Sequence, residues 1–146
     1  MCETYIIPVT IYRYDIILIT GKEDECIEYL VNKFEFDKDY LSKSINLEAN
    51  GTTICTDHSI VFCWVKNLNN NYNIDLIHEL DHAANFILRS VGINHTVESE
   101  EAYSYLKTYI QELTFSLIES DKQKKKNKMV LKNKKDKNGN IQKTNK

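Results

Sequence analysis

An α+β fold is what residues 1–121 predict, and three observations carry that reading. Residues 5–19 are dominated by β-branched and aromatic side chains, Ile6, Ile7, Val9, Ile11, Ile16 and Ile17 among them, a composition that suits strand. Two further apolar runs, 52–56 and 59–65, flank Asp57-His58, the pattern of a hairpin. Two long segments, 74–91 and 96–120, repeat their apolar residues at helical spacing.

Each element follows from its local residues. The first run reads as one long or broken strand, with Pro8 near its start and Gly21 at its close. Cys26, Ile27, Leu30, Val31 and Phe34 then recur at helical spacing, so a helix is predicted over 23–34. Residues 35–49 fit either a short helix or a covering loop. Asn50-Gly51 is a turn signal, and the run 60–65 is apolar at nearly every position, as expected of a strand covered on both faces. The Asn-rich stretch 66–73 reads as a loop, with Asn73 as a helix N-cap. The next helix, 74–91, ends at Gly92 in a left-handed cap. The last, 96–120, has Ala102, Leu106, Tyr109, Leu113 and Leu117 as its predicted core stripe.

With 42% hydrophobic and 10% aromatic residues the chain is globular in composition. Its near-neutral net charge of -2 hides a division. Residues 1–121 hold 20 acidic and 8 basic side chains, whereas 122–146 hold 11 lysines and one acid. That contrast predicts a folded domain over 1–121 and a basic, disordered tail over 122–146. The four cysteines form no CxxC pair, no signal segment opens the chain, and no apolar run reaches the length of a membrane span. Reduced thiols and a cytoplasmic location, the host cytoplasm if the gene is a phage's, are therefore expected.

The chemistry concentrates in His78-Glu79-Leu80-Asp81-His82. On a helix, positions i and i+4 share a face, so both imidazoles reach one ion. Neutral imidazole suits Zn²⁺, and Glu79 is placed to take a proton from water. The helix is apolar on most sides, so His78, Glu79, His82, Asn85 and Arg89 make up its functional face. Buried imidazoles without partners would be costly, which favours a ligand role.

A catalytic zinc usually takes three protein ligands. Glu98, Glu100 and Glu101 follow His82 beyond a helix-ending glycine. Stepping about 100° per residue from Ala102 turns Glu100 nearly opposite the core and leaves Glu98 and Glu101 flanking the stripe. Geometry leaves those two open.

His78-Glu-Leu-x-His82-Ala83, a glycine, then Glu101-x-x-Ser104-Tyr105-Leu106 resembles the zincin metallopeptidases of the gluzincin type. The likeness is to small phage-type zinc metallopeptidases and the single-domain minigluzincins. It is specific over residues 74–106 and topological before them. It implies a minimal zincin-like core, in which a small sheet of an N-terminal strand plus a hairpin packs on a central HExxH helix and a following ligand helix. It also implies one zinc per chain held by His78, His82 and Glu101, with Glu98 in reserve, and hydrolysis of a peptide or protein substrate with Glu79 as general base. Larger gluzincins carry an aspartate four residues after the ligand glutamate; Tyr105 stands there in this chain. Tyr105 and His58 are secondary candidates for stabilising developing charge, along with His95, Tyr103 and Tyr109. Strand 59–65 is the expected edge for an extended peptide.

Other readings compete. The fold can persist in a catalytically inactive binding or assembly protein. His78-Glu-x-Asp81-His82 also resembles the third motif of peptide deformylases, with Cys55 or Cys63 as the remaining ligand, but that family's Glu-Gly-Cys-Leu context and Gly-rich first motif are missing. A di-iron helix pair needs a second Glu-x-x-His, and the chain has none. The lysine-rich tail suits non-specific contact with nucleic acid phosphates.

Overall fold

The computed structural model describes residues 2–45, 50–56, 58–68 and 74–139, and for 132–139 the backbone alone. Its elements run β1 (Glu3–Val9), a 3-10 turn (Thr10–Tyr12), β2 (Tyr14–Thr20), α1 (Glu23–Phe34), α2 (Lys38–Ser44), β3 (Gly51–Cys55), β4 (Ile60–Val65) and α3 (Ile74–Ser90). A second 3-10 turn (Val97–Ser99) then leads into α4 (Glu100–Gly139). This is an α+β chain with one four-stranded mixed sheet of order β1-β2-β4-β3.

The N-terminal β-rich run is broken rather than continuous. Arg13 takes a left-handed conformation (φ 55°) after the turn, and β2 folds back antiparallel on β1. Pro8 lacks an N–H to donate and sits on β1, an edge strand, where that loss is tolerated. β2 pairs with β4 in parallel, and β3 closes the far edge antiparallel to β4. The sheet is therefore two hairpins joined through a parallel pair, not a lone strand beside one hairpin.

β2 and β4 are apolar along their length because both their faces are covered. Ile17, Ile19, Phe62 and Trp64 face the cluster formed with Cys26, Ile27 and Leu30 of α1 and Leu41 of α2. The alternate residues, Ile16, Leu18, Val61, Cys63 and Val65, are equally buried, and α3 packs on β3 and β4. Pairing on both sides also corrects the expectation that strand 59–65 offers an edge: the free edges belong to β1 and β3.

Residues 35–45, ambiguous in sequence, include α2, whose N-terminus is capped by the Asp37 carboxylate accepting from Tyr40 N at 2.7 Å. Gly92 takes φ 84° after α3, as its position predicts. The Asn73 cap and the Asp57 turn position lie outside the described residues. α4 continues to Gly139, well past the expected end near residue 120.

The chain divides into two units, Met1–Thr114 and Phe115–Lys146. Every described residue of 122–131 is exposed. No helix among the described residues is long and apolar enough to cross a membrane.

Candidate metal and catalytic site

α3 positions the motif. Leu76, Leu80, Ile87 and Leu88 bury their side chains, each worth roughly 1.5–3 kcal/mol, and this apolar arc fixes the helix's rotation on the sheet. Glu79 is turned to the border of the packed side. His78, His82, Asn85 and Arg89 follow one another along the opposite face, at the spacing that aligns residues on a helix.

Both histidines are exposed, so the expectation of buried imidazoles is corrected: desolvation does not force a ligand upon them. Their own geometry is informative instead. The two Nε2 atoms lie 3.0 Å apart, with ring centroids at 4.5 Å and planes at 86°. Two imidazole nitrogens bound to one tetrahedral zinc stand about 3.3 Å apart, given bonds of about 2.0–2.1 Å. The rings thus converge within a few tenths of an ångström of a shared-ion arrangement. The same spacing also suits one ring donating an N–H to the other.

Glu79 is the buried member, 5% exposed. Thr53 Oγ1 on β3 donates to its Oε2 at 2.7 Å, with the Glu79 backbone carbonyl a second acceptor at 3.0 Å. Cys63 Sγ approaches that same carbonyl at 3.8 Å. Gly51 completes the seat, since a Cβ there would stand 2.8 Å from Glu79 Cγ and 2.9 Å from Oε1. The sequence marks Gly51 only as part of a turn signal and carries no motif for Thr53. Only the pairing of β3 beside α3 identifies them.

These groups line an open cleft of about 450 Å³ between the β3 edge and α3, reaching from Gly51 and Thr53 past the histidines to Phe86 and Arg89. Cys55 also lines it; burial pushes its thiol up to about 11. Cys63 lies outside the lining, its thiol pushed up to about 12, chiefly by burial. All four cysteines are free.

The acids that open α4 are placed differently. Glu98 and Glu101 are exposed and do not line the cleft. Thr96 hydrogen-bonds the Glu98 carboxyl and holds it below the usual carboxylate range, while Thr96 and Ser99 cap the second 3-10 turn. Among the described residues, no group of three or more His, Cys, Asp or Glu side chains is gathered to hold a metal ion.

The rotation of α4 accounts for this. Its buried stripe in the first unit is Leu106, Ile110 and Thr114, whereas Tyr109 is 39% exposed and Ala102 only half-buried. The expected stripe through Ala102 and Tyr109 is therefore corrected by a turn about the helix axis. Tyr103 and Lys107 are the side chains that meet α3. Tyr103 OH donates to the Asp81 carbonyl at 3.2 Å, and Lys107 Nζ pairs with Asp81 Oδ2 at 2.8 Å. Burial first, then the Asp81 carboxylate, raises the Tyr103 phenol. At about 100° per residue, Glu101 stands about 160° round the helix from Tyr103 and Glu100 only about 60°. The acid set aside in sequence is the one nearer the α3-facing side.

None of the remaining candidates lines the cleft with the histidines. Tyr105 is 74% exposed and borders an apolar depression with Ile11 and Tyr12. His58 is exposed and borders another, with Phe34, Phe36 and Phe62. His95 meets the Tyr103 ring edge-on, centroids 4.6 Å apart. No family model, no curated protein and no solved structure matches the chain.

Proposed function

We propose that this chain is a zinc-dependent metallopeptidase of zincin type. The observation that carries the reading is a pair of convergent imidazole nitrogens, 3.0 Å apart, next to a carboxylate that Thr53 holds at the border of an open cleft. His78 and His82 would hold the ion, with a carboxylate from the first turn of α4 as the third ligand: Glu101 by its likeness to gluzincins, Glu100 by its angle on the helix. A bound zinc supplies Lewis acidity, lowering the pKa of water toward neutrality and polarising a carbonyl.

The chain's own residues do the rest. A peptide lies along the free edge of β3, where backbone N–H and C=O groups pair with an added strand. Glu79 accepts the proton of the attacking water as its oxygen bonds to the carbonyl carbon. It then delivers that proton to the amine nitrogen as the C–N bond breaks. Thr53 fixes one carboxylate oxygen and leaves Oε1 for the transfer.

The test is metal analysis of purified protein. Wild type is expected to carry about one zinc per chain, His78→Ala and His82→Ala to lose it, and Glu79→Gln to keep it while losing hydrolysis. Alanine at Glu98, Glu100 and Glu101 in turn identifies the third ligand. A wild type that takes up no zinc from a stoichiometric supply overturns the reading.

A second reading is favoured by the placement of Glu98 and Glu101 outside the cleft: a zincin-fold binding or assembly module without turnover. Peptide binding that is unchanged by chelation, with no cleavage product, would support it.

A further inference from the structure

We propose that Arg89 makes the far end of the cleft a carboxylate-binding subsite, so that the peptides it takes carry a negative charge three or four residues from the position of His78 and His82. This rests on the cleft being a peptide site.

Four observations converge. Arg89 lines the same cleft as the two histidines and Glu79. Its guanidinium is exposed and makes no hydrogen bond or ion pair with any described residue, although residues 1–121 hold 20 acids against 8 bases. Among the described residues it is the one arginine or lysine in the cleft wall, and Glu79, the one acid among them, is already engaged by Thr53. Finally, Asn85 and Phe86 stand beside it in the wall, and Phe86 is braced edge-on by Tyr14 with centroids 6.3 Å apart. A fixed aromatic wall and an amide next to a planar, five-donor fork is a setting suited to one carboxylate, bound bidentately.

The sheet supplies the direction. Tyr14 opens β2, whose next residue pairs with Ile60 at the start of β4, and Val61 pairs with Cys55 at the end of β3. Because Tyr14 touches Phe86, the Cys55 end of β3 lies toward the C-terminal half of α3, and its Gly51 end lies at Glu79. A strand added to β3 therefore runs between Glu79 and Arg89. Arg89 is seven residues beyond His82, about 10 Å along the axis, and an extended peptide covers that in about three residues. Added antiparallel to β3, the peptide brings an acidic side chain on the N-terminal side of the bond to Arg89. Added parallel, it brings residues on the C-terminal side, including a free C-terminal carboxylate.

A net-negative domain disfavours anionic partners at long range, so a lone cleft cation that offsets this sets selectivity more than raw affinity. Arg89 also lies in the last turn of α3, where a cation meets the negative end of the helix dipole. That role alone predicts a lower Tm for an Arg89 variant and no change in peptide selectivity.

The experiment uses zinc-supplemented full-length protein and fluorescent ten-residue peptides in three forms: glutamate at each position in turn, glutamine at the same positions, and free or amidated C-termini. Binding is read by anisotropy and cleavage by mass spectrometry. Wild type is expected to prefer one glutamate position, or the free C-terminus, by about 10-fold or more, the scale of a charge-assisted hydrogen bond. Arg89→Gln should erase that preference, and Arg89→Lys should keep part of it. Peptides that bind or are cut with no preference for a carboxylate overturn this inference and leave the peptidase reading standing. So does a preference that survives Arg89→Gln. If no peptide binds or is cut at all, the peptide-cleft reading and this inference fall together.

Discussion

The two flanks of α3 are built to different standards. On the β3 side, three described groups constrain Glu79: a hydroxyl at 2.7 Å, a thiol against its carbonyl, and a glycine that leaves no room for a Cβ. On the α4 side, the contact is an ion pair and a tyrosine hydroxyl, both directed at Asp81 rather than at a histidine. The sheet thus fixes the proposed base, while the proposed third ligand depends on the rotation of a second helix. If the proposed function holds, a site divided in this way should lose its base chemistry to changes in β3 and its metal to changes at the start of α4.

The largest effect is expected at Gly51. In Gly51→Ala the added methyl lies within 3 Å of the Glu79 side chain, so the carboxylate must move. Displacements of about 1 Å at a reacting group cost about 100-fold in rate, and overpacking costs about 1–3 kcal/mol in stability. Zinc content should be unchanged, because neither histidine is touched. Metal analysis beside a hydrolysis assay checks the division; a fall in both together would break the contrast between the flanks.

Cys63 tests the same flank through pH. Its thiol ionises near 9 when unfolded and at about 12 when folded, because burial disfavours the thiolate. A raised folded pKa means stability fully present below pH 9 and lost as the pH climbs toward 12. Chemical denaturation across that window should show wild type losing on the order of a few kcal/mol more than Cys63→Val. In the native state Cys63 should also resist thiol reagents at neutral pH.

Thr53→Val comes next. It leaves a buried carboxylate oxygen without its donor, at about 1–3 kcal/mol, and frees Glu79 to turn. Hydrolysis should fall with little change in zinc content, and Thr53→Ser should restore most of both stability and rate. If Thr53→Ser behaves like Thr53→Val, the hydroxyl is not what holds Glu79.

How much of this was legible beforehand follows from the range of each interaction. The motif, the α3 and α1 boundaries and the 51–65 hairpin rest on contacts between near neighbours in sequence, and periodicity reports those. The break at 10–13 was harder to read, because a left-handed Arg13 carries no glycine signal. The N-terminal hairpin and the interior place of β4 depend on which strands pair across the chain, and β4's apolar run was equally compatible with an edge. Thr53 and Gly51 acquire meaning only once β3 lies beside α3. Tyr109 and Ala102 are apolar enough to join a stripe on α4, yet the helix turns Leu106, Ile110 and Thr114 inward. Turning the helix about its axis turns Glu100 and Glu101 with it. For that reason the two histidines of the proposed site are easier to read from the sequence than a third donor.

The smallest effect is expected at the α4 flank itself. Lys107 and Asp81 are about one-third exposed, 33% and 30% by side chain, so solvent screens their pair and Lys107→Met should cost at most about 1 kcal/mol. Asp81 Oδ1 is already buried with no hydrogen-bond partner among the described residues. Without Lys107 the whole carboxylate lacks its ion pair among the described residues. The double variant Lys107→Met with Asp81→Leu removes both partners and should be near neutral. Should Lys107→Met instead raise zinc affinity while leaving stability alone, the α4 flank is a tunable part of the metal site, and the contrast between the two sides of α3 would have to be redrawn.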